Sequence, residues 1–441
     1  MVSKDKTLSV RMNGILVGKL IKSTSGSLTY AYESDWVETK GARPISLSMP
    51  LSSRLYSGEI PYNYFDNLLP DNTNIRDRIQ TRFKASTSHP FDLLSEIGMD
   101  CVGALQIAPQ EQNLDDVKCI NSVPLTDSQI SRLLKSYHTA PLGMSEDDGE
   151  NFRISIAGAQ EKTALLLKDG AWHRPLGATP TTHIFKLPIG KIEHSGMDLN
   201  QSCENEWLCL KIAAAFGFSV CDSEIMTFED TKVLVVKRFD RRYGKGWIMR
   251  LPQEDMCQVL GVSPNLKYES DGGPGIDAIM RFLLHSQSAK QDRESFFKSQ
   301  VLFYLLAGID GHAKNFSVFI ESEGRYRMTP LYDIMSAHPL ISAKQLQIQK
   351  IKMAMALSGK NRHYLWHTIQ PRHFISTARH VGFNEKTAQA AIREMMDSLE
   401  GVIATVEQQI PDDFPDDVSI PILTGMRQQR ERFLALGGLN Q

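Results

Sequence analysis

The chain has 441 residues, with 41% hydrophobic, 23% charged and 8% aromatic; at about 150 residues per domain this allows two to three domains and excludes global disorder. Its longest apolar run, residues 301–309, is far shorter than the roughly 18 residues of a membrane-crossing helix, and the first residues alternate without a signal peptide's apolar stretch, so a cytoplasmic protein with no membrane partner is expected. Lys and Arg number 49 against 51 Asp and Glu, a net charge of -2, which excludes a wholly basic nucleic-acid clamp.

Residues 8–20 alternate around Asn13-Gly14, a pair that tolerates the positive φ of a tight hairpin turn. Another alternating stretch follows at 27–32, and a helix is expected over 62–83. Polar stretches at 110–116 and 145–151 read as linkers, which puts the main boundary near residue 149. Beyond it, strands are expected at 154–156, 163–167, 182–187 and 232–236, with a helix over 200–216 ended by Gly217. From residue 251 the pattern is helical, at 276–285, 293–308, 371–380, 385–408 and 421–436. A hairpin, 316–320 and 325–328, interrupts it at Ser322-Glu323-Gly324. The reading is an α+β chain: a β-rich domain over 1–148, then 149–441 made of a small β lobe (149–250) and a helical lobe (251–441). Six scattered cysteines show no Cys-x-x-Cys pair, so they read as reduced thiols, not zinc ligands.

The strongest chemical signal is Asp310-Gly311-His312-Ala313-Lys314-Asn315, an acid and an amide five positions apart after an apolar helix. Phosphoryl transfer uses a carboxylate to orient an attacking hydroxyl and take its proton, and an amide oxygen to hold Mg²⁺. Asp333, at the far end of the hairpin, is a second carboxylate for the metal. Each also has a bland reading: Asp-Gly is a common turn pair, and Asp333 could cap a helix. A cation for the phosphates is Lys186 on an apolar strand, unless that strand is an exposed edge, where lysine protects against aggregation. Glu204 and Glu206 could pair with it or lie on a solvated helix face. Ala157, Gly158, Ala159, Gln160, Glu161 and Lys162 form a small-residue turn whose N–H groups could approach phosphate, though a plain β-turn fits equally.

These residues sit among longer motifs. Arg43-Pro44-Ile45-Ser46-Leu47-Ser48-Met49-Pro50-Leu51, Phe65-Asp66-Asn67-Leu68-Leu69-Pro70-Asp71 and Phe91-Asp92-Leu93-Leu94-Ser95-Glu96-Ile97-Gly98 resemble the N-terminal domain of the HipA family, the kinase toxins of bacterial toxin-antitoxin pairs. Residues 152–164, Leu251-Pro252-Gln253-Glu254-Asp255-Met256-Cys257-Gln258, residues 267–276 and 310–319 resemble its kinase domain, so the likeness covers nearly the whole chain. The resemblance implies a protein-kinase-like two-lobed fold, with a β-rich N-terminal lobe, an added small N-terminal β domain and a mostly helical C-terminal lobe. It implies serine/threonine kinase activity with ATP and Mg²⁺: Asp310 as catalytic base, Asn315 and Asp333 as metal ligands, and Lys186 on the phosphates. The phosphate loop would be Ala157 to Lys162 and the adenine-side hinge Lys237-Arg238-Phe239, with Lys237 where the family carries glutamate. His312, Ala313, Lys314, Asn315 and Tyr332 would make further ATP contacts, and Ser155 would be the autophosphorylated serine that silences the enzyme.

The implied substrate class is an aminoacyl-tRNA synthetase, chiefly the glutamyl enzyme, and the implied partner is a HipB-like helix-turn-helix antitoxin dimer that carries the toxin to operator DNA, making it nucleoid-associated when so bound. Residues 334–384 contain no acid but hold Lys344, Lys350, Lys352, Lys360, Arg362, Arg372 and Arg379. That basic run is either a solvated face or a phosphate-neutralising one, with Arg379 as the DNA-contact candidate. Two other classes stay open: a small-molecule phosphotransferase, which also uses Asp-x-x-x-x-Asn, and a silent kinase acting only as a DNA-bound co-repressor.

Overall fold

The computed structural model describes residues 5–112, 116–139, 160, 162–192, 196–244 and 246–437. The expected boundary near 149 and the strand over 154–156 lie outside them. The chain forms two compact units, Met1–Leu187 with Met226–Asn265 and Ser317–Tyr326, and Pro188–Ile225 with Leu266–Phe316 and Arg327–Gln441. Among the described residues no helix is long and apolar enough to cross a membrane.

In the first unit, Lys6–Met12 and Ile15–Lys22 form the expected hairpin, with Asn13 at φ 48° and Gly14 at φ 82°. They extend into a five-stranded antiparallel sheet with Leu28–Tyr32, Tyr56–Ser57 and Leu105–Pro109. Val10, Leu20, Tyr30 and Ile107 are buried in one core with Phe65 of the helix Glu59–Asp66 and Leu93 and Leu94 of the helix Pro90–Ile97. The single helix expected over 62–83 is two, Glu59–Asp66 and Thr73–Phe83. Pro70 has no N–H to continue the first and disfavours helical backbone at Leu69. Asn72 starts the second by accepting from the N–H of Asn74 at 2.8 Å.

A second sheet of the same unit places Thr231–Lys237, His183–Lys186, Lys162–Lys168, Ala171–Pro175 and Ser122–Pro124 side by side in that order. One face, with Leu165, Phe185, Val233 and Val235, packs on Ile130 and Leu134 of the helix Asp127–Thr139. A buried ion-pair network ties this region to the N-terminal sheet's helical cover. Asp100 takes Arg241 at 2.9 Å and Arg250 at 3.0 Å, while Arg238 spans Asp100 at 3.3 Å and Asp240 at 2.8 Å. Burial alone would raise the pKa of Asp100, but the three guanidinium groups hold it far below the usual carboxylate range.

The second unit is mainly helical: Ser202–Ala215, Ile276–Phe282, Ala289–Leu306, Pro371–His380, Glu385–Glu407 and Asp416–Ala435. The last begins five residues before the expected 421, because Pro415 and the acids Asp416 and Asp417 make a favourable first turn and Pro421 is carried inside the helix. The basic run folds as the hairpin Lys352–Ser358 and Arg362–Leu365, followed by the helix Pro371–His380.

Candidate active site

The helix Ala289–Leu306 stops at Ala307, which adopts left-handed backbone at φ 49°. The Phe303 ring then lies so close to the following loop that a Cβ on Gly311 would sit 2.9 Å from it. Gly311 is therefore required by close approach, and not by a positive φ as in an ordinary Asp-Gly turn. A single turn of 3₁₀ helix, Ala313–Asn315, follows, with Asn315 buried. Its Nδ2 donates to the backbone carbonyl of Asp310 at 2.7 Å and to that of Asp333 at 3.3 Å. Three residues marked by spacing are thus brought together, and Asn315 keeps Oδ1 as its acceptor atom.

The Asp310 side chain is 41% exposed. Its Oδ1 accepts from the Tyr268 hydroxyl and lies 3.8 Å from His312 Nε2. Lys314 is buried, and its carbonyl accepts from Tyr332 Oη at 2.8 Å, so the two expected ATP contacts are neighbours. Asp333 itself is left-handed at φ 57°, a conformation Asp tolerates better than most residues. The segment beyond it is gripped twice. Asn205 exchanges both amide hydrogen bonds with the backbone of Ser336 at 2.8 Å, and Ser336 Oγ donates to Leu306 O at 2.6 Å.

Asn205 and Tyr268 were not singled out from sequence. Asn205 stands between Glu204 and Glu206, and Tyr268 lies in the motif 267–276 with no spacing to mark its role. Glu204 and Glu206 are both buried, which rules out the solvated-face reading: the helix Ser202–Ala215 is enclosed on nearly every side.

In the other unit, Lys186 is buried and its strand lies between Lys162–Lys168 and Thr231–Lys237, so the exposed-edge reading fails as well. Lys186 is opposite Lys162 on one side and Leu234 on the other. Those residues point away from the sheet face that packs on Ile130 and Leu134. Two lysines thus share the sheet's other face. Gln160 donates to the carbonyl of Leu187. Ser155, Ala157, Gly158, Ala159 and Glu161 lie outside the described residues. Of the hinge, Arg238 spends its guanidinium on the buried network, so only backbone is left there for a ligand.

Arg379 is exposed, but Glu385, the first acid after the basic run, takes it with two hydrogen bonds of 2.8 Å. Arg362 is likewise paired with Glu269. Lys344, Lys350, Lys352, Lys360 and Arg372 are exposed.

The two residues assigned to the metal, Asn315 and Asp333, offer hard oxygens, an amide and a carboxylate, and Asn315 Nδ2 ties their backbones together. Mg²⁺ takes one or two carboxylates and keeps its remaining positions for water and phosphate, so this set fits it. The fit rests on the amide nitrogen of Asn315 being committed to two carbonyls, which turns its oxygen to the free role.

A model of the HipA-like C-terminal domain matches residues 154–403, more than half of the chain, and one of the HipA N-terminal domain matches residues 8–108. The chain belongs to the HipA family. A putative kinase of Sinorhizobium fredii, Y4mE, is 30% identical over 422 residues, 94% of this chain and 95% of its own. The serine/threonine-protein kinase toxin HipA of Shewanella oneidensis is 29% identical over 348 residues, 76% of each. The solved HipA from the S. oneidensis complex of HipA, HipB and operator DNA superposes with a TM-score of 0.80 at 22% identity, covering 97% of this chain and 98% of that one. The fold is therefore the α+β, protein-kinase-like fold of HipA, and the chain is a kinase of that family.

Proposed function

We propose that this HipA-family kinase uses Mg-ATP to phosphorylate serine or threonine on a protein, and that it is the toxin of a toxin-antitoxin pair. The observation that carries the reading is the double hydrogen bond of Asn315, whose Nδ2 ties the backbone of Asp310 to that of Asp333, so that the two acids and the amide stand at one place. Asp310 would orient the acceptor hydroxyl and take its proton. Asn315 and Asp333 would hold Mg²⁺, which when bound neutralises charge on the phosphate oxygens. Lys186, held on a central strand, would put a fixed cation on the phosphates, with Lys162, Gln160 and the residues from Ala157 to Glu161 as the phosphate loop. Lys237, Arg238 and Phe239 would meet adenine through backbone, with His312, Ala313, Lys314 and Tyr332 lining the nucleotide. In domain terms we assign 1–148 to the N-terminal domain, 149–250 to the small lobe and 251–441 to the helical lobe.

The substrate we assign is an aminoacyl-tRNA synthetase, first the glutamyl enzyme, whose phosphorylation would stop charging and bring growth arrest and persistence. Autophosphorylation of Ser155 would switch the kinase off, since a dianion there needs a new set of counter-charges. Naming of the S. oneidensis relative as a toxin, and its solved assembly with HipB and operator DNA, support a helix-turn-helix antitoxin dimer as partner and repression of its own operon as a second role. This would place it in the cytoplasm, on the nucleoid when so bound.

The test is γ-phosphoryl transfer from Mg-ATP by the full chain to a panel of synthetases with their tRNAs, with phosphosites mapped. Label on one synthetase establishes the toxin reading, and label on Ser155 alone keeps the kinase and removes that substrate. No label on any protein contradicts the reading.

A further inference from the structure

We propose that Tyr268 is a positioning residue for Asp310 that selects which carboxylate oxygen meets the acceptor hydroxyl; this deepens the reading of Asp310 as the base and rests on it. The Tyr268 hydroxyl donates to Oδ1 of Asp310, and the approach of His312 Nε2, at 3.8 Å, is to that same oxygen. Oδ2 is the carboxylate oxygen that Tyr268 and His312 leave to the acceptor hydroxyl. A carboxylate on a loop rotates about its terminal torsion, which has a broad, two-fold energy profile, unless a partner fixes it. Tyr268 is such a partner, and it is itself fixed. Its ring meets His312 edge-on with centroids 5.0 Å apart, and the Lys267 ammonium stands 5.7 Å from its centre. Next to it, the carbonyl of Lys267 accepts from the N–H of Ala313 at 3.2 Å, binding this segment to the loop it serves.

In the transfer step the acceptor O–H bond breaks, its proton passes to Oδ2, and its oxygen bonds the γ-phosphorus as the bond to the bridging oxygen breaks and ADP leaves with that electron pair. Misplacing the base by one torsion should weaken this step without touching nucleotide affinity.

The test uses the full chain, reading release of inorganic phosphate from Mg-ATP by the parent, Tyr268→Phe, Asp310→Asn and the double variant. Phe keeps the ring and its contact with His312 and removes only the hydroxyl. Expected is a fall in kcat of about 10- to 100-fold for Tyr268→Phe, with KM for ATP within about twofold, and no further loss when it is added to Asp310→Asn. Replacing Tyr268 by 3-fluorotyrosine, which retains the donor, should keep kcat within about threefold of the parent. A Tyr268→Phe loss smaller than about threefold, or one that persists in full on Asp310→Asn, overturns the inference and leaves the base reading intact. A parent without turnover, or Asp310→Asn at parental rate, overturns the base reading itself and the inference with it.

Discussion

Asn315 donates through Nδ2 to the backbone carbonyl of Asp310 at 2.7 Å, so the amide five positions on closes the loop that carries the carboxylate. One side chain would thus do two jobs: its nitrogen shapes the loop, and its oxygen is the atom proposed to hold Mg²⁺.

Asn315→Ala removes both and is expected to lower phosphoryl transfer by more than about 10²-fold and to raise the Mg²⁺ concentration needed for half-maximal nucleotide binding. Asn315→Asp restores an oxygen ligand but no donor to Asp310, so it should recover the Mg²⁺ requirement and not the rate. Titrating Mg²⁺ with a fluorescent ATP analogue, alongside turnover, separates the two.

The buried network of the first unit sets three arginines against Asp100 and Asp240. Asp100→Asn leaves buried guanidinium groups without their counter-charge, which is expected to cost about 3–5 kcal/mol in urea unfolding. A cost below about 1 kcal/mol would mean the network is solvated or dispensable.

Glu254 accepts from Ser46 Oγ at 2.6 Å and from the N–H of Leu47 at 2.7 Å. Burial outweighs both bonds and pushes its pKa from 4.5 up to about 8. The folded protein therefore holds a proton that the unfolded chain has lost, so this stability is fully present below 4.5 and disappears as pH rises toward about 8. His373, stacked on His363 at 3.7 Å and pushed down to about 4 chiefly by burial, acts oppositely: its stability is lost as pH falls from 6.5 toward about 4. Comparing the parent with Glu254→Gln isolates the first effect. The parent's stability relative to the variant should fall between pH 5 and pH 8.5, and parallel curves would refute the assignment.

For the basic run, Glu385 neutralises the cation expected to meet DNA. Glu385→Gln should free Arg379, tighten operator binding by the complex with the antitoxin and steepen its salt dependence by about 0.9. An unchanged slope would place Arg379 away from the phosphates.

Sequence reading succeeded where the determining contact is local. Asn13-Gly14 specifies its turn by its own backbone preference, and the spacing from Asp310 to Asn315 is one loop. It failed where a partner lies far along the chain. The strand Gln253–Asp255 exists because it pairs with Ser317–Ile320, over sixty residues away, and too few residues are involved to leave a period. Tyr268 reaches Asp310 across 42 positions with no motif linking them. The helix expected over 62–83 failed for a different reason: a continuing apolar pattern hid the stop at Pro70, which its own chemistry announces. The pairing of Arg379 was not legible because its acid, Glu385, stands one residue past the acid-free run.

The most direct measurement compares the full chain with Asp310→Asn for γ-phosphoryl transfer from Mg-ATP to protein hydroxyls, with ATP affinity measured in parallel. A fall of about 10²- to 10⁴-fold in transfer at unchanged affinity is expected if Asp310 takes the proton. Loss smaller than about threefold would contradict it, because a general base cannot be removed that cheaply.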